Sequence, residues 1–180
     1  MRIALGADHG GFDMKSELAR LLAAERHEIV DLGNGVYDAS DDYPDFAIPV
    51  ALAVAHGDAD RGILVCATGV GACIVANKIS GVRAAVGHDV YSVRRGVEDD
   101  DVNIVCFGAR TTAVSLAWEC AQSFLNAKFV CESQHCRRLA KVLEIERNRR
   151  GGAIADHREG ILIPWAADDD ELSALKQGSS

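Results

Sequence analysis

Short apolar runs alternate with helically spaced apolar positions from the second residue onward. Arg2 to Ala7 reads as a strand, and Met14 to Ala24 as a helix whose apolar stripe carries Leu18, Leu21 and Leu22. His27 to Leu32 repeats the strand pattern. Pro44 then opens a helical stretch over Asp45 to Ala55, at a position where a missing N–H is tolerated. Ile63 to Cys66, Arg83 to Val86 and Asn103 to Gly108 read as three further strands. Helices follow them over Ala72 to Ile79, after Asp89, and from about Thr112 to Leu125. A last helix, roughly Cys136 to Arg149, has no strand predicted after it.

Strands alternating with helices predict an α/β fold, a three-layer αβα sandwich around a five-stranded parallel, Rossmann-like sheet with a C-terminal helix. Ligands of such sheets bind outside the carboxyl ends of the strands. The loops after Ala7, Leu32, Cys66, Val86 and Gly108 are therefore where chemistry is expected. Residues 1–150 read as one domain and 151–180 as an acidic extension, with Gly151-Gly152 breaking the last helix. That extension carries two basic and six acidic residues, a net of −4. Its apolar stretch, Ile161 to Trp165, predicts packing against the domain or a neighbouring subunit, with a disordered tail as the alternative.

Composition narrows the function classes. A hydrophobic share of 48% over 180 residues fills one core and excludes a disordered chain. No run approaches the ~18 to 20 apolar residues of a membrane span, and no charged segment precedes an apolar signal stretch. A net charge of −8 argues against a general nucleic-acid binder. A local arginine cluster still leaves a small anion as a possible ligand. Of the six cysteines, Cys66 and Cys106 sit in strand-like runs and Cys120 in a helical pattern. With no C-x-x-C pair, reduced thiols in the cytoplasm are expected, one of them reactive.

The loop Gly6-Ala7-Asp8-His9-Gly10-Gly11 puts two titratable groups at the ligand rim, with glycines that let backbone approach a ligand. An ordinary strand-to-helix turn capped by Asp8 explains the same residues. The loop Cys66-Ala67-Thr68-Gly69-Val70-Gly71-Ala72 is neither a P-loop nor a dinucleotide fingerprint. Its glycines aim amides at an oxyanion or enolate. Cys66 at the strand's mouth, facing the start of the next helix, reads either as a thiol with thiolate character or as a buried, inert cysteine, and the Thr68 and glycines after it favour the first. Asp41-Asp42-Tyr43-Pro44-Asp45 reads mainly as a helix cap. Arg110 just past the fifth strand, and His135-Cys136-Arg137-Arg138 at the last helix, offer planar forks suited to phosphate, though singly each arginine reads as a surface residue. Arg147, Arg149 and Arg150 complement the helix macrodipole and have no site role.

Taken in order, these segments, with Ala76-Asn77-Lys78 and Gly108-Ala109-Arg110, resemble ribose-5-phosphate isomerase B. That family includes the galactose-6-phosphate isomerase subunits. The resemblance covers about residues 1 to 150. It implies a homodimer or dimer of dimers with sites at the interface, no metal or organic cofactor, and aldose–ketose isomerisation through a cis-enediolate. In the branch this sequence matches the base is a cysteine, here Cys66; another branch places a glutamate where this chain has Ala72. The resemblance gives Thr68 the transfer of a proton between oxygens, the Gly69, Val70 and Gly71 amides the enediolate, and Asp8 the sugar hydroxyls. His9, Arg110 and Arg138 take the phosphate, and Tyr43, Asn77, Lys78, Asn103 and His135 fall among the substrate-binding positions.

Two positions depart from the family. Members that isomerise ring-forming sugars keep a ring-opening histidine where this chain has Asp99. Either Asp99 or His88 moves that proton here, or the substrate is a tetrose 4-phosphate, which cannot close a furanose through its phosphorylated oxygen. Gln134 stands where an arginine is common, which removes one charge from the phosphate clamp. An isomerase acting on ribose 5-phosphate or a tetrose phosphate is therefore expected. A non-catalytic sugar-phosphate binder, or an inactive subunit of a hetero-oligomer, is the alternative.

Overall fold

The computed structural model describes residues 1–149, 153–156 and 161–164. Met1–Cys136 forms one compact unit, and a second begins at Arg137. In the first unit, strands β1 (Arg2–Ala7), β2 (Glu28–Asp31), β3 (Arg61–Cys66), β4 (Ala84–Val86) and β5 (Ile104–Gly108) make one all-parallel sheet in the order β2-β1-β3-β5-β4. The central strands β1, β3 and β5 are nearly continuous apolar runs because both of their faces are covered. The two edge strands are shorter and only half-buried.

Residue alternation along each strand divides the core into two layers. Ile3, Leu5, Ile63, Val65, Val105 and Phe107 face helices α1 (Phe12–Ala24), α4 (Val90–Asp100) and α5 (Val114–Asn126). Ala4, Leu64, Cys66, Ile104 and Cys106 face α2 (Pro44–His56) and α3 (Val70–Ala76). The expected three-layer architecture is therefore observed, and Cys66 takes the α2/α3 side because it is in register with Leu64. Among the described residues no helix is long and apolar enough to cross a membrane.

Element ends differ from the predicted ones for local reasons. Asp8 caps a short 3-10 turn, His9–Gly11, that feeds straight into α1 and starts it two residues early. Helix α3 begins at Val70 because Gly69 takes a left-handed φ of 78°. It ends at Ala76, where the Asn77 side chain leaves the helix to pair with the Ala84 backbone, accepting from its N–H at 2.9 Å and donating to its carbonyl at 2.9 Å.

Two expectations are corrected. The last helix, α6 (Ser133–Arg149), is followed by strands: β6 (Ala153–Asp156) and β7 (Ile161–Pro164) pair antiparallel, with Ala153 opposite Pro164. The alternation in each run is too short to have marked it as a strand, and the pairing supplies what local pattern lacked. The expected packing of Trp165 and the remaining acidic tail lies outside the described residues, as does Arg150. Second, the cysteines are not all reduced. Cys131 and Cys136 form a disulfide with Cα atoms 5.3 Å apart. The first turn of α6, where the Cys136 N–H donates to the Glu132 carbonyl at 3.0 Å, brings the two together. Cys66, Cys73, Cys106 and Cys120 are free thiols.

Candidate active site

The chain leaves β1 toward one edge of the sheet and builds β3, β5 and β4 on the other side of β1. Its direction of winding thus reverses between β1 and β3, the place where open α/β sheets form a ligand crevice. The loops after β1 and β3 carry Asp8-His9 and Cys66 to Gly71 to that crevice. The loop after β5 is tied to the same turn: the Ala109 N–H donates to the Cys66 carbonyl at 2.9 Å, and the Arg110 N–H to the Ala67 carbonyl at 3.0 Å.

Cys66 is 5% exposed, and its Sγ accepts the Gly69 N–H at 3.0 Å. That contact closes the turn that Gly69 makes possible, since its φ of 78° is one that residues with a side chain rarely adopt. The Val70 N–H approaches the exposed Thr68 hydroxyl at 3.4 Å. The amides that follow, in the first turn of α3, have no carbonyl partner within the helix. The Tyr43 ring lies against Gly71, where a Cβ would come within 3.0 Å of it.

Asp8 is buried, and its Oδ1 accepts the Gly11 N–H at 3.1 Å. Burial pushes its carboxyl above the usual range, partly offset by the His9 charge and the Gly11 amide. The geometry shown is that of the cap. His9 Nδ1 donates to Asp41 Oδ1 at 2.7 Å, and this bond raises the imidazole above its ordinary value. His9 and Arg110 line one cavity of about 360 Å³, together with Asp13, Thr112 and the start of α5. Arg110 is exposed, and its guanidinium makes no ion pair with the described residues. The cavity therefore pairs a histidine whose protonated form is favoured with an uncommitted guanidinium, a combination suited to a phosphate dianion.

Other predicted site residues lie elsewhere within one chain. Helix α4 runs back across the sheet, so Asp99 in its last turn sits at the amino edge, opposite Cys66. Asp99 is ion-paired with Arg95: Oδ2 accepts Nε at 3.1 Å, while Oδ1 lies 2.6 Å from Nη2 at a poor hydrogen-bonding angle. His135 is buried beside it, donating Nδ1–H to the Val130 carbonyl at 3.0 Å, with Nε2 3.7 Å from Asp99. Asn77 and Asn103 both serve β4: the Asn103 side chain accepts the Arg83 N–H at 2.8 Å and donates to the Gly81 carbonyl at 2.8 Å. Lys78 is exposed beside Asn77. His88 is exposed after β4, at the same edge as Cys66 but two strands away. Arg138 belongs to the second unit.

Sequence reasoning passed over two residues here. Asp41 was read as part of a helix cap, yet it holds the His9 ring across 32 positions of chain. Cys73 is a second candidate nucleophile: a hydrogen bond with Cys106 lowers its thiol below the ordinary value, against the opposing effect of burial, with help from Asn77. Its sulfur, however, is turned to the Ala84 carbonyl, 3.4 Å away, and not to the Cys66 turn. Among the described residues no group of three or more His, Cys, Asp or Glu side chains is placed to hold a metal ion.

Comparison with known proteins adds a family likeness. A family model described as Ribose/Galactose Isomerase matches residues 3–142. Ribose-5-phosphate isomerase B of Escherichia coli is 38% identical over 148 residues, covering 82% of this chain and 98% of the relative. D-erythrulose-4-phosphate isomerase 2 of Mycolicibacterium smegmatis is 35% identical over 148 residues, covering 81% and 97%. The solved structure of Clostridium thermocellum ribose-5-phosphate isomerase B superposes with a TM-score of 0.80 at 41% identity, covering 83% of this chain and 99% of that one.

Proposed function

The chain belongs to the ribose/galactose isomerase family, and from that premise we propose that it interconverts the aldose and ketose forms of a small sugar phosphate with Cys66 as the base. The observation that carries this reading is the Cys66 turn. It sets a sulfur and a row of amides at the β1/β3 crevice, beside the cavity shared by His9 and Arg110. The Cys66 thiolate removes the proton from one of two adjacent carbons, and the resulting thiol, which exchanges its proton with solvent, delivers one to the other, while Thr68 moves the matching proton between the oxygens. Amides from Gly69 to Gly71 stabilise the enediolate charge as it develops. Asp8 orients the sugar hydroxyls. Phosphate held by His9 and Arg110 supplies binding energy remote from the reacting carbons, and that energy orients them.

A four-carbon sugar phosphate suits this chain best. Asp99, at the position of the family's ring-opening histidine, is committed to an ion pair with Arg95 and is poorly placed to donate a proton. An acyclic substrate needs no such donor. Both substrate sizes occur among the relatives, one named for erythrulose 4-phosphate and one for ribose 5-phosphate. Turnover of erythrulose 4-phosphate, erythrose 4-phosphate and ribose 5-phosphate by the purified chain tests the choice. The tetrose phosphates are expected to exceed ribose 5-phosphate in kcat/KM by at least about tenfold; equal values would overturn the four-carbon reading, and no turnover would overturn the isomerase.

A dimer is part of the same reading. Ile48 and Leu52 on α2, one turn apart, and Val70 and Ile74 on α3, also one turn apart, form an exposed apolar face beside Tyr43. Such a face favours burial against a second copy. Sedimentation equilibrium is expected to give at least a dimer mass, and Ile74→Glu to shift it toward the monomer. A monomeric wild-type chain would remove this part of the proposal.

A further inference from the structure

The Asp41 carboxylate is unusually committed for a group in a surface loop. Oδ1 accepts both the His9 backbone N–H at 2.9 Å and the His9 ring Nδ1 at 2.7 Å, while Oδ2 accepts the Asn34 side-chain amide at 2.9 Å. The Asp41 side chain is only 6% exposed, against 34% for His9. A carboxylate can only accept, so the bonded ring nitrogen is Nδ1–H. Nε2 is then the nitrogen that His9 offers to the cavity it shares with Arg110.

We propose that Asp41 is a positioning residue for anion binding: its carboxylate, clamped by Asn34, fixes the His9 ring and keeps its charge available to a phosphate held jointly with Arg110. This deepens the isomerase reading and rests on its placement of the substrate phosphate. Asp41 never touches substrate; it acts through His9.

Other groups around His9 do not supply the same effect. Asp8 precedes it but is buried and hydrogen-bonded to Gly11. Asp38 is turned to Ser40, with which it makes hydrogen bonds at 2.7 and 2.9 Å. Tyr37 presents a ring edge with centroids 6.4 Å apart. Asp13 and Arg110, from α1 and the loop after β5, share the cavity. Among the described residues Asp41 alone hydrogen-bonds the ring. Burial works against its charge, but the His9 amide, Asn34 and the His9 ring outweigh it and keep Asp41 ionised below the usual carboxylate range. The His9 imidazolium is correspondingly favoured, so its charge persists to higher pH than that of a free histidine.

The full chain, labelled at histidine, is titrated by NMR as wild type, Asp41→Asn and Asn34→Ala, and the binding of inorganic phosphate is measured from pH 5.5 to 8.5. In Asp41→Asn the His9 midpoint is expected to fall toward the ordinary value of about 6.5. Phosphate binding should weaken about tenfold at pH 8, the loss of one charge-assisted hydrogen bond where the variant keeps less of the imidazolium than the wild type, and less than about twofold near pH 5.5, where either protein carries the charge. Ionisation of phosphate is common to the two proteins and cancels in the ratio. Asn34→Ala keeps the carboxylate but loosens it, so the midpoint is expected to stay high while phosphate weakens at every pH.

An unchanged His9 midpoint in Asp41→Asn, phosphate weakening that is independent of pH, or wild-type His9 resonances that do not respond to phosphate would each overturn the proposal. If Asp41→Asn fails to fold, as judged by thermal melting, unchanged phosphate affinity in Asn34→Ala overturns it instead. A chain that turns over no sugar phosphate removes the isomerase reading, and the titration and phosphate affinities still decide the role of Asp41.

Discussion

Replacing Cys66 with alanine is expected to lower kcat by about 10²- to 10⁴-fold, the usual contribution of a positioned proton-transfer group. The fold should survive. Cys66 ends β3 at the rim of the α2/α3 layer, and what the substitution removes is one sulfur and one acceptor for the Gly69 N–H. An amide at the crevice can turn to water, so the cost is on the order of 1 kcal/mol. Product formed in D₂O should carry solvent deuterium at the reacting carbon with the wild type, whereas the variant should form almost none. Cys73→Ala is the control, because the sulfur of Cys73 faces Ala84, and it should keep nearly full activity. A Cys66→Ala variant with half the wild-type rate would remove Cys66 from the mechanism.

Gly108→Ala should damage stability and catalysis together. A Cβ at Gly108 would collide with Thr111 Oγ1 and lie 2.6 Å from the Thr68 carbonyl carbon and 2.7 Å from its oxygen. Thr111 can rotate aside, but the Thr68 backbone cannot without moving the turn that carries the Gly69 to Gly71 amides. Overpacking of this kind costs about 1 to 3 kcal/mol or more, a fall in Tm of several degrees for a domain of this size. Because the displaced segment is the turn proposed to bind the enediolate, kcat should fall more than KM rises. Gly35→Ala, where a Cβ would meet nothing within 4 Å, should leave both Tm and kcat nearly unchanged. A Gly108→Ala variant with wild-type melting and turnover would show that the β3 and β5 loops are not packed as tightly as described.

The two predictions depend on different parts of the sequence. Cys66 could be found because a cysteine followed by Thr68, Gly69 and Gly71 at a strand's end is a local pattern. The constraint at Gly108 could not, because it arises from two loops 40 residues apart that meet only when β3 and β5 pair. Asp41 is a similar case: an aspartate shortly before a helix has an adequate local explanation, and its bond to His9 joins loops after different strands. Asn77 and Asn103 show the reverse. The family resemblance places them among the substrate-binding positions, and the structure adds what local pattern does not show: each satisfies backbone groups around β4. The Cys131–Cys136 disulfide escaped a search for C-x-x-C spacing because the turn of α6, and not adjacency, joins its ends.

The amino-acid sequence by itself determined the five strands and the helices between them, since unbroken apolar runs and 3.6-residue periodicity are local properties of the chain. It also determined which loops carry cysteine, histidine and arginine at strand ends. Tertiary structure alone decided the strand order, and with it the crevice between β1 and β3 where those loops converge. It decided that Asp41, and not a ligand, holds His9 Nδ1, and that Asp99 is spent on Arg95 at the opposite edge of the sheet. The physical reason is the same each time. A hydrogen bond or ion pair depends on distances of about 3 Å between groups remote in sequence, and those distances exist only after the apolar core has set the strands side by side.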